Sequence, residues 1–401
     1  MLKKLRLHNF RTYLNAEFSF TPLHLVAGKN NSGKTNLFYG MRMLHVTAVA
    51  DLSTALRAVP GGTSETTNFS SKSNLVELSC TCVLEFHGVA HSYEYSLCLE
   101  VEEPHAPSSS PSAARIRSER LHVSSAAFGD VCLLESDGRE AQMLHEGKYE
   151  KSKTAERVTT LAPRDSTMLC KLYELDTNRR ALQFRRFLGS WCFFNLAPEQ
   201  MRLGWSEPTS DSSSLLVNGG NLANVIYNLK NLDERRYRSV IDEVCRVEPE
   251  LKAVNFVPNP GQTPVPFLEL RSRPRASWVG LSAGTLRCMA LAYIAHSATA
   301  WRDQDRNCPT QVMFIEEPEN GLYPGYLRTM FELFETRGEG TQFIFTSHSP
   351  YFINLFDNRR DSVTLLRRAV DRTEIVEVPD PNDDDPDRLL LAEQYSMELF
   401  D

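Results

Sequence analysis

The segment that most constrains the fold of this chain is residues 28–35, which read GKNNSGKT and match the pattern G-x-x-x-x-G-K-[ST]. The apolar run 23–27 comes directly before it and suits a buried strand, and residues 36–44 can continue as a helix. Between a strand and a helix, such glycines let successive backbone N–H groups point inward around phosphate oxygens. The start of the helix adds the positive end of its dipole. The segment therefore predicts a phosphate-binding loop, and its flanks disfavour a chance glycine-rich turn.

Two side chains of this loop have a defined chemistry. The Lys34 ammonium is placed to reach the β- and γ-phosphates of a nucleotide, and the Thr35 hydroxyl is placed to ligate Mg²⁺. The residues that we expect to contact the nucleotide are Gly28, Asn30, Asn31, Ser32, Gly33, Lys34, Thr35 and Asn36.

Composition narrows the class of protein. The chain has 401 residues, enough for two or three domains, and its 41% hydrophobic and 24% charged residues are typical of a soluble globular protein. No apolar run approaches the length of a membrane-spanning helix, and the N-terminus lacks the apolar core of a signal peptide. We therefore expect a cytoplasmic protein without a membrane partner. The net charge of −7 argues against a wholly basic surface but leaves a local basic face for DNA open.

The nine cysteines are scattered along the chain and include no C-x-x-C pair. Cys80 and Cys82 lie two residues apart, which on a strand places both side chains on one face. They could form half of a metal site, but no matching Cys/His pair stands nearby. Buried free thiols in a reducing compartment are the favoured interpretation.

Hydrophobic periodicity separates strand-rich from helix-rich stretches. Strands are expected at 2–11, 16–20, 75–86, 91–101, 114–123, 131–135, 141–146, 312–315 and 342–345, with a hairpin turn at Gly88. Helical patterns fall at 36–44, 165–190, twice within 221–246, and at 286–300. Loops are expected at 52–75, in the Pro/Ser-rich break 104–113, and in the acidic segment 379–387.

A second motif lies where the apolar strand 312–315 ends in the adjacent carboxylates Glu316 and Glu317. Successive residues of a strand point in different directions, so the two carboxylates can divide the chemistry. Glu316 is placed to hold Mg²⁺, directly or through water, and Glu317 to polarise a water for attack on a γ-phosphate. A solvated acidic turn is the alternative, which the preceding apolar strand disfavours.

Two weaker signals accompany this motif. Ser282 and Gly284 open the helix expected at 286–300: Ser282 can cap its N-terminus, and Gly284 allows a ligand to approach closely. An ordinary helix cap explains the pair about equally well. His348 comes just past the strand 342–345, where an imidazole can touch a γ-phosphate and report its presence. A lone histidine is usually packing or surface, but its place after the other motifs favours a functional role.

The order of these motifs resembles that of ABC-type ATPase heads: a phosphate loop, then LSxG, then an apolar strand with EEPENGL, then TSHSP. The chain is similar to the RecF/SMC/OLD-related AAA-family ATPases with an AbiEii toxin-like AAA domain. Residues 7–11 (LHNFR) resemble their L-x-N-F-R strand, residues 281–287 (LSAGTLR) their signature, and residues 218–223 (NGGNLA) their D-G-x-N-L-A segment. The similarity spans nearly the whole chain.

The resemblance implies an α/β P-loop NTPase fold, that of the ABC-type ATPase head, with a β-rich insertion and a helical lobe. Residues 1–74 would form the N-terminal part of the ATPase lobe, 75–160 a mainly antiparallel β region, 161–275 the helical lobe, and 276–401 the rest of the ATPase lobe. Such a head binds ATP with Mg²⁺. The implied activity is ATP hydrolysis to ADP and phosphate.

The resemblance also assigns roles to the site residues. Thr35 and Glu316 would be metal ligands, and Glu317 and His348 would be catalytic. Together with Lys34, they would serve one nucleotide.

A second subunit is implied as well. Ser282 and Gly284 would touch the nucleotide bound by the other subunit, so hydrolysis would need a head-to-head homodimer, with a higher oligomer left open. Asn320 and Leu322 would lie in the loop that crosses this interface.

The chain departs from its relatives at several points. Glu316 stands where many ABC heads carry Asp, although Glu is usual in this subgroup. The glutamine loop is not located; Gln183 is the nearest guess and is left out of the site. About 50 residues follow His348, too few for the TOPRIM nuclease domain of OLD-type proteins. No sustained heptad run predicts the coiled-coil arm of an SMC protein.

Three functions fit this sequence. The leading hypothesis is a sensor or motor subunit of a bacterial antiviral defence or DNA-maintenance system, with a separately encoded effector such as a nuclease. The first alternative is a self-contained ATPase that binds and acts on DNA ends. The second is a scaffold that binds ATP and turns it over slowly. Fold and motor chemistry do not by themselves name the cargo.

Overall fold

The structure is a computed structural model that describes residues 1–101, 114–173, 177–204, 214–259, 263–297, 311–337, 340–376, 378 and 389–397. It divides into two compact units. Unit 1 consists of Met1–Trp191, Asn307–Val312 and Asp361–Pro379, and unit 2 of Cys192–Arg306, Met313–Arg360 and Asp380–Asp401.

The described strands are β1 (Leu2–Phe10), β2 (Tyr13–Ser19), β3 (Leu23–Gly28), β4 (Leu75–Phe86), β5 (Val89–Val101), β6 (Ala114–Ser125), β7 (Gly129–Ser136), β8 (Glu140–Leu144), β9 (Arg157–Leu161), β10 (Cys192–Phe194), β11 (Leu251–Val257), β12 (Val265–Leu270), β13 (Ala276–Ser277), β14 (Gln311–Glu316), β15 (Thr341–Ser347), β16 (Val363–Arg368) and β17 (Thr373–Val376).

The described helices are α1 (Lys34–Val49), α2 (Leu52–Arg57), α3 (Glu146–Ser152), α4 (Met168–Lys171), α5 (Arg179–Gly189), α6 (Pro198–Leu203), α7 (Leu222–Leu232), α8 (Glu234–Val247), α9 (Ala283–Ser297), α10 (Pro324–Arg337), α11 (Pro350–Ile353) and α12 (Leu391–Ser396). Short 3₁₀ helices lie at Gly62–Glu65, Trp278–Gly280 and Asn354–Ser362. Among these helices, none has the length and apolar character that crossing a bilayer requires.

Unit 1 is built on an eight-stranded sheet in the order β2-β1-β4-β5-β6-β7-β8-β9, whose neighbouring strands are all antiparallel. Along β4 and β5 buried apolar residues alternate with more exposed ones, so one face of the sheet covers a core. Helix α5 covers part of that face. The Phe184 ring lies 5.6 Å from the Tyr93 ring and 5.4 Å from the Tyr95 ring, measured between centroids.

Unit 1 also contains the strand that leads into the phosphate loop. β3 is buried along its whole length and pairs in parallel with β16, with Leu25 opposite Val363. β17 then pairs with β16 in antiparallel fashion. A strand buried on both faces reads as a continuous apolar run, which is the pattern of residues 23–27.

Unit 2 carries the second half of the predicted site. β10, β14 and β15 lie side by side, and β10 is parallel to β14, with Phe193 opposite Phe314. β11, β12 and β13 form a separate three-stranded antiparallel sheet. The Tyr237 hydroxyl of α8 donates to the Val254 carbonyl at 2.7 Å and accepts from its N–H at 3.0 Å, which joins this sheet to the helical part.

The predicted α/β P-loop NTPase fold is confirmed, as are the hairpin at Gly88 and the paired helices near 221–246. The helix expected at 286–300 begins earlier, at Ala283. Residues 104–113, 298–300 and 379–387 lie outside the described residues. The division of the chain into four segments stays a prediction.

Two expectations about secondary structure are wrong or incomplete. Residues 52–75 are not all loop, because they include α2 and a 3₁₀ helix. The Asp51 carboxylate accepts from the Thr54 N–H at 2.7 Å and caps α2, whose buried Leu52, Ala55 and Leu56 fall at helical spacing. In the segment expected to be a helical lobe, the strands β10, β11 and β12 were not predicted.

Candidate functional site

The phosphate loop lies in unit 1, between β3 and α1, and its glycines are required by close contacts. A Cβ at Gly28 would lie 2.3 Å from Ser32 Oγ and 2.7 Å from the Leu366 carbonyl oxygen. Gly33 has a φ of +108°, and a Cβ there would lie 2.5 Å from Thr373 Oγ1. Only glycine fits both positions without displacing backbone or neighbours.

The polar groups of the loop suit an anion. The buried Lys34 ammonium donates to the carbonyl of Gly28 at 2.6 Å and to that of Lys29 at 3.0 Å. The Ser32 hydroxyl is buried and has no hydrogen-bond partner within the part of the chain that the structure describes. An orphaned buried hydroxyl is costly, and phosphate oxygens would satisfy it. Thr35 is exposed, so its hydroxyl is accessible to a metal ion.

Asn36 has a role that the sequence did not reveal. Its side-chain oxygen accepts from Arg11 Nε at 2.7 Å, and its nitrogen donates to Thr12 Oγ1 at 2.9 Å. The Thr373 hydroxyl donates to the same Thr12 oxygen at 2.8 Å. The first turn of α1 is thereby tied to the β1–β2 turn and to β17, which fixes the loop from outside.

Asn30 and Asn31 are exposed on the loop, and Asn31 adopts a left-handed φ of +65°.

The adjacent carboxylates lie in unit 2, at the end of β14. Glu316 is the last residue of the strand and is buried, and its Oε2 accepts from the Asn195 side-chain nitrogen at 2.7 Å. Glu317 leaves the strand with a φ of +43°, and its N–H donates to the Thr346 carbonyl at 2.9 Å. The two carboxylates contact different partners, and the division of chemistry between them stays a prediction.

Glu317, Asn320 and His348 meet at this strand end. Nδ1 of His348 lies 3.0 Å from Oε1 of Glu317, and the Asn320 side-chain nitrogen donates to Oε2 at 2.6 Å. The side chains of Glu317 and His348 are 29% and 37% exposed, so water and substrate can reach both. A proton on Nδ1 would make the imidazole a donor to the carboxylate. The carboxylate is held from two sides and retains access to solvent.

A buried chain of hydrogen bonds fixes the loop that carries His348. The Ser347 hydroxyl donates to the Glu319 carboxylate at 2.5 Å and accepts from the Ser349 N–H at 3.0 Å. Burial raises the pKa of Glu319, while the hydrogen bond from Ser347 lowers it. These hydrogen bonds involve Ser347 and Ser349, which directly precede and follow His348, so they set the position of the imidazole.

Ser282 and Gly284 have intramolecular roles of their own. The Ser282 hydroxyl accepts from the Thr285 N–H at 3.0 Å, so the predicted helix cap is present. A Cβ at Gly284 would lie 2.7 Å from the Gly321 carbonyl oxygen, so glycine is required there by packing within the chain. Contact with a second subunit's nucleotide stays a prediction.

The carboxamide that contacts Glu316 belongs to Asn195, which no sequence motif indicated. Gln183, the nearest guess for a glutamine loop, lies on α5: it accepts from the Tyr93 hydroxyl at 2.9 Å and donates to the Glu85 carbonyl at 2.5 Å. Asn195 directly follows β10, and that position after an apolar run was the only available signal.

The acidic, histidine and cysteine side chains were compared with the arrangements that hold metal ions. Across the described ranges, no group of three or more His, Cys, Asp or Glu side chains is arranged to hold a metal ion. Cys80 and Cys82 are buried free thiols, and burial raises the pKa of both, that of Cys82 to about 12. Thiolate ligands are therefore disfavoured there. That Thr35 and Glu316 bind Mg²⁺ stays a prediction.

A buried strand that delivers a glycine loop to a helix, and another that ends in adjacent carboxylates, define a P-loop NTPase. Residues 180–354 match the family model described as "AAA domain, putative AbiEii toxin, Type IV TA system". The matched segment includes the LSAGTLR signature, both carboxylates and His348. The predicted resemblance to ABC-type ATPases of this AAA group is thereby confirmed.

Three SMC head structures are among the solved structures to which this chain is similar. An SMC head domain from Thermotoga maritima is 11% identical with a TM-score of 0.43, covering 94% of this chain and 99% of that chain. An SMC head bound to the C-terminal winged-helix domain of ScpA is 13% identical with a TM-score of 0.49, covering 99% of both. An SMC head with an extended coiled coil bound to the C-terminal domain of ScpA, derived from Pyrococcus furiosus, is 12% identical with a TM-score of 0.44, covering 99% and 98%. A search of curated proteins found no match. Identities this low indicate nothing about function.

Proposed function

We propose that this protein hydrolyses ATP in a Mg²⁺-dependent reaction in which Glu317 is the general base. The observation that carries the proposal is the 3.0 Å contact between Glu317 Oε1 and His348 Nδ1, together with the 2.6 Å hydrogen bond from Asn320 to Oε2. A carboxylate fixed in this way and open to solvent can accept a proton from an attacking water. His348 would orient Glu317 through Nδ1 and offer Nε2 to a phosphate oxygen.

The phosphate loop would bind the triphosphate. The unsatisfied Ser32 hydroxyl, the Lys34 ammonium and the first N–H groups of α1 are donors, and phosphate oxygens are acceptors that match them. Thr35 and Glu316 would hold Mg²⁺, which neutralises the charge that develops on the phosphates. Asn195 would keep the Glu316 carboxylate oriented for that task.

ATP would also assemble a homodimer. Ser282 is exposed and caps a helix whose first N–H groups can bind an anion. Each subunit therefore has two anion-binding elements, this helix start and the phosphate loop. Two subunits placed face to face by a two-fold axis would use both elements on each of two nucleotides. Binding would close the dimer, and hydrolysis would reopen it.

In the cell we propose a cytoplasmic sensor or motor subunit of an antiviral defence or DNA-maintenance system, with a separate effector such as a nuclease. The description of the matched family, which includes a toxin of a type IV toxin–antitoxin system, favours defence. Cys80, Cys82 and Cys288 are buried free thiols, which fits a reducing compartment. Pull-down from native cells with Glu317→Gln, followed by identification of bound protein and nucleic acid, would test this role. Recovery of DNA without a protein effector would favour the DNA-end alternative.

The test of the chemistry is steady-state ATP hydrolysis by Glu317→Gln beside the matched control Glu332→Gln. Glu332 is exposed on α10, where its carboxylate pairs with Arg328 at 3.2 Å, so glutamine at this position should leave turnover unchanged. The glutamine side chain of Glu317→Gln is nearly isosteric with the carboxylate but cannot accept the proton from water. Turnover should therefore fall by roughly 10²–10⁴-fold while ATP still binds. Wild-type turnover in Glu317→Gln would mean that Glu317 is not the base. An ATP-stabilised dimer with barely measurable wild-type turnover would favour the slow scaffold.

A further inference from the structure

The signature helix α9 and the turn that carries Glu317 contact each other at two points in unit 2. The backbone of Gly284 lies so close to the Gly321 carbonyl that a Cβ would come within 2.7 Å of its oxygen. One turn further along α9, Arg287 donates from Nη1 to the Glu317 carbonyl at 3.4 Å. The helix that Ser282 caps therefore holds both ends of the loop from Glu317 to Gly321.

The backbone of Glu317 needs such support. Its φ of +43° is unfavourable for a residue with a side chain and persists only when the surroundings hold it. The Thr346 carbonyl holds its N–H, and Arg287 holds its carbonyl. The pKa of Arg287 is lowered by burial and raised by the Glu317 and Glu319 carboxylates, which places the guanidinium beside the acidic turn. An arginine remains charged there.

We propose that Arg287 is a positioning residue that couples the signature to the catalytic carboxylate: it transmits the position of the first turn of α9 to the backbone of Glu317. This inference rests on the proposed ATPase function. When Ser282 and the start of α9 engage the nucleotide of the second subunit, the Arg287 side chain moves with the helix. The Glu317 carbonyl, and with it the direction of the carboxylate, follows. Hydrolysis is thereby linked to closure of the dimer.

The central experiment compares Arg287→Met, Arg287→Lys and the control Arg328→Met. Methionine keeps much of the side-chain length but removes the donor and the charge; Arg328 is exposed on the same unit and pairs with Glu332. For Arg287→Met we expect kcat to fall roughly 10–100-fold, the range for residues that orient a site ligand. KM for ATP and the ATP-dependent gain of dimer in light scattering should stay within about twofold, because the phosphate loop and Ser282 are untouched. Lysine, which keeps the charge, should restore part of kcat, and Arg328→Met should match wild type.

Gly284→Ala tests the same coupling without changing charge. The Cβ of the new alanine must displace the Gly321 carbonyl. We therefore expect kcat to fall as it does in Arg287→Met, while nucleotide binding is retained. Thermal unfolding of each variant shows whether lost activity reflects unfolded protein. The inference is overturned if Arg287→Met turns over like Arg328→Met, if its kcat falls only in proportion to its unfolded fraction, or if KM and dimer gain are lost together with kcat. A wild-type protein that does not hydrolyse ATP would instead overturn the proposed function.

Discussion

Replacing the buried Glu119 by glutamine should remove a pH dependence of stability that its environment creates. Glu119 lies on β6 and is 1% exposed. Its carboxylate accepts from the N–H groups of Met168 and Leu169, at 2.6 and 3.0 Å, and from the Tyr95 hydroxyl at 3.0 Å. It thus joins the large sheet of unit 1 to α4, whose capping residue Thr167 donates to the Thr47 carbonyl of the phosphate-loop helix at 2.7 Å.

Two effects on this carboxyl oppose each other, and burial is the larger. Burial raises the pKa of Glu119 from 4.5 to about 7, and the three donors lower it by less. The folded state therefore holds the proton more tightly than the unfolded state does. Stability from this group is fully present below pH 4.5 and is lost as the pH rises to about 7. Each pKa unit corresponds to about 1.4 kcal/mol, so the free energy of unfolding loses about 3 kcal/mol.

The assay is urea unfolding of wild type, Glu119→Gln and the exposed control Glu135→Gln at several values between pH 5 and 8. Glutamine cannot ionise, so the free energy of unfolding of wild type should fall relative to Glu119→Gln by most of about 3 kcal/mol across this range. The protection factors of the Met168 and Leu169 amides against hydrogen exchange, which correct for the pH dependence of the intrinsic rate, should fall in parallel in wild type alone. A wild-type-to-variant difference that stays constant from pH 5 to 8 would mean that the three donors keep the carboxylate ionised, and the reasoning would fail.

Three further predictions concern the site. Lys34→Ala should abolish ATP binding, because the ammonium supplies the charge opposite the β- and γ-phosphates; unchanged affinity in calorimetry would contradict this. In the Glu317→Gln background, mass photometry should find more dimer with ATP than with ADP, and Ser282→Arg should remove that gain; equal association in all three conditions would leave Ser282 as a helix cap only. Asn195→Ala should raise the Mg²⁺ concentration needed for half-maximal turnover roughly 10–100-fold in a magnesium titration. An unchanged titration would mean that Asn195 serves packing alone.

Much of the fold was readable because its signals are local. The alternation along β4 and β5, the glycine pattern of residues 28–35 and the apolar run before Glu316 each report on a few consecutive residues. The prediction of a loop at 52–75 is wrong because this segment is rich in turn residues, which mask the short capped helix that begins after Asp51. Short polar caps are easily hidden in a segment rich in turn residues.

By itself the sequence determined the chemistry that can operate here: a phosphate loop, two carboxylates at a strand end, a histidine after the next strand and a capped signature helix. Only the tertiary structure decided which side chains hold that chemistry in place. Asn195 reaches Glu316 across 121 residues, and Thr373 reaches Thr12 across 361. Such partners follow from strand pairing and helix packing, which bring together distant residues that no local propensity links. Motifs are set by backbone conformation over a few residues, whereas the support of a site depends on the whole fold.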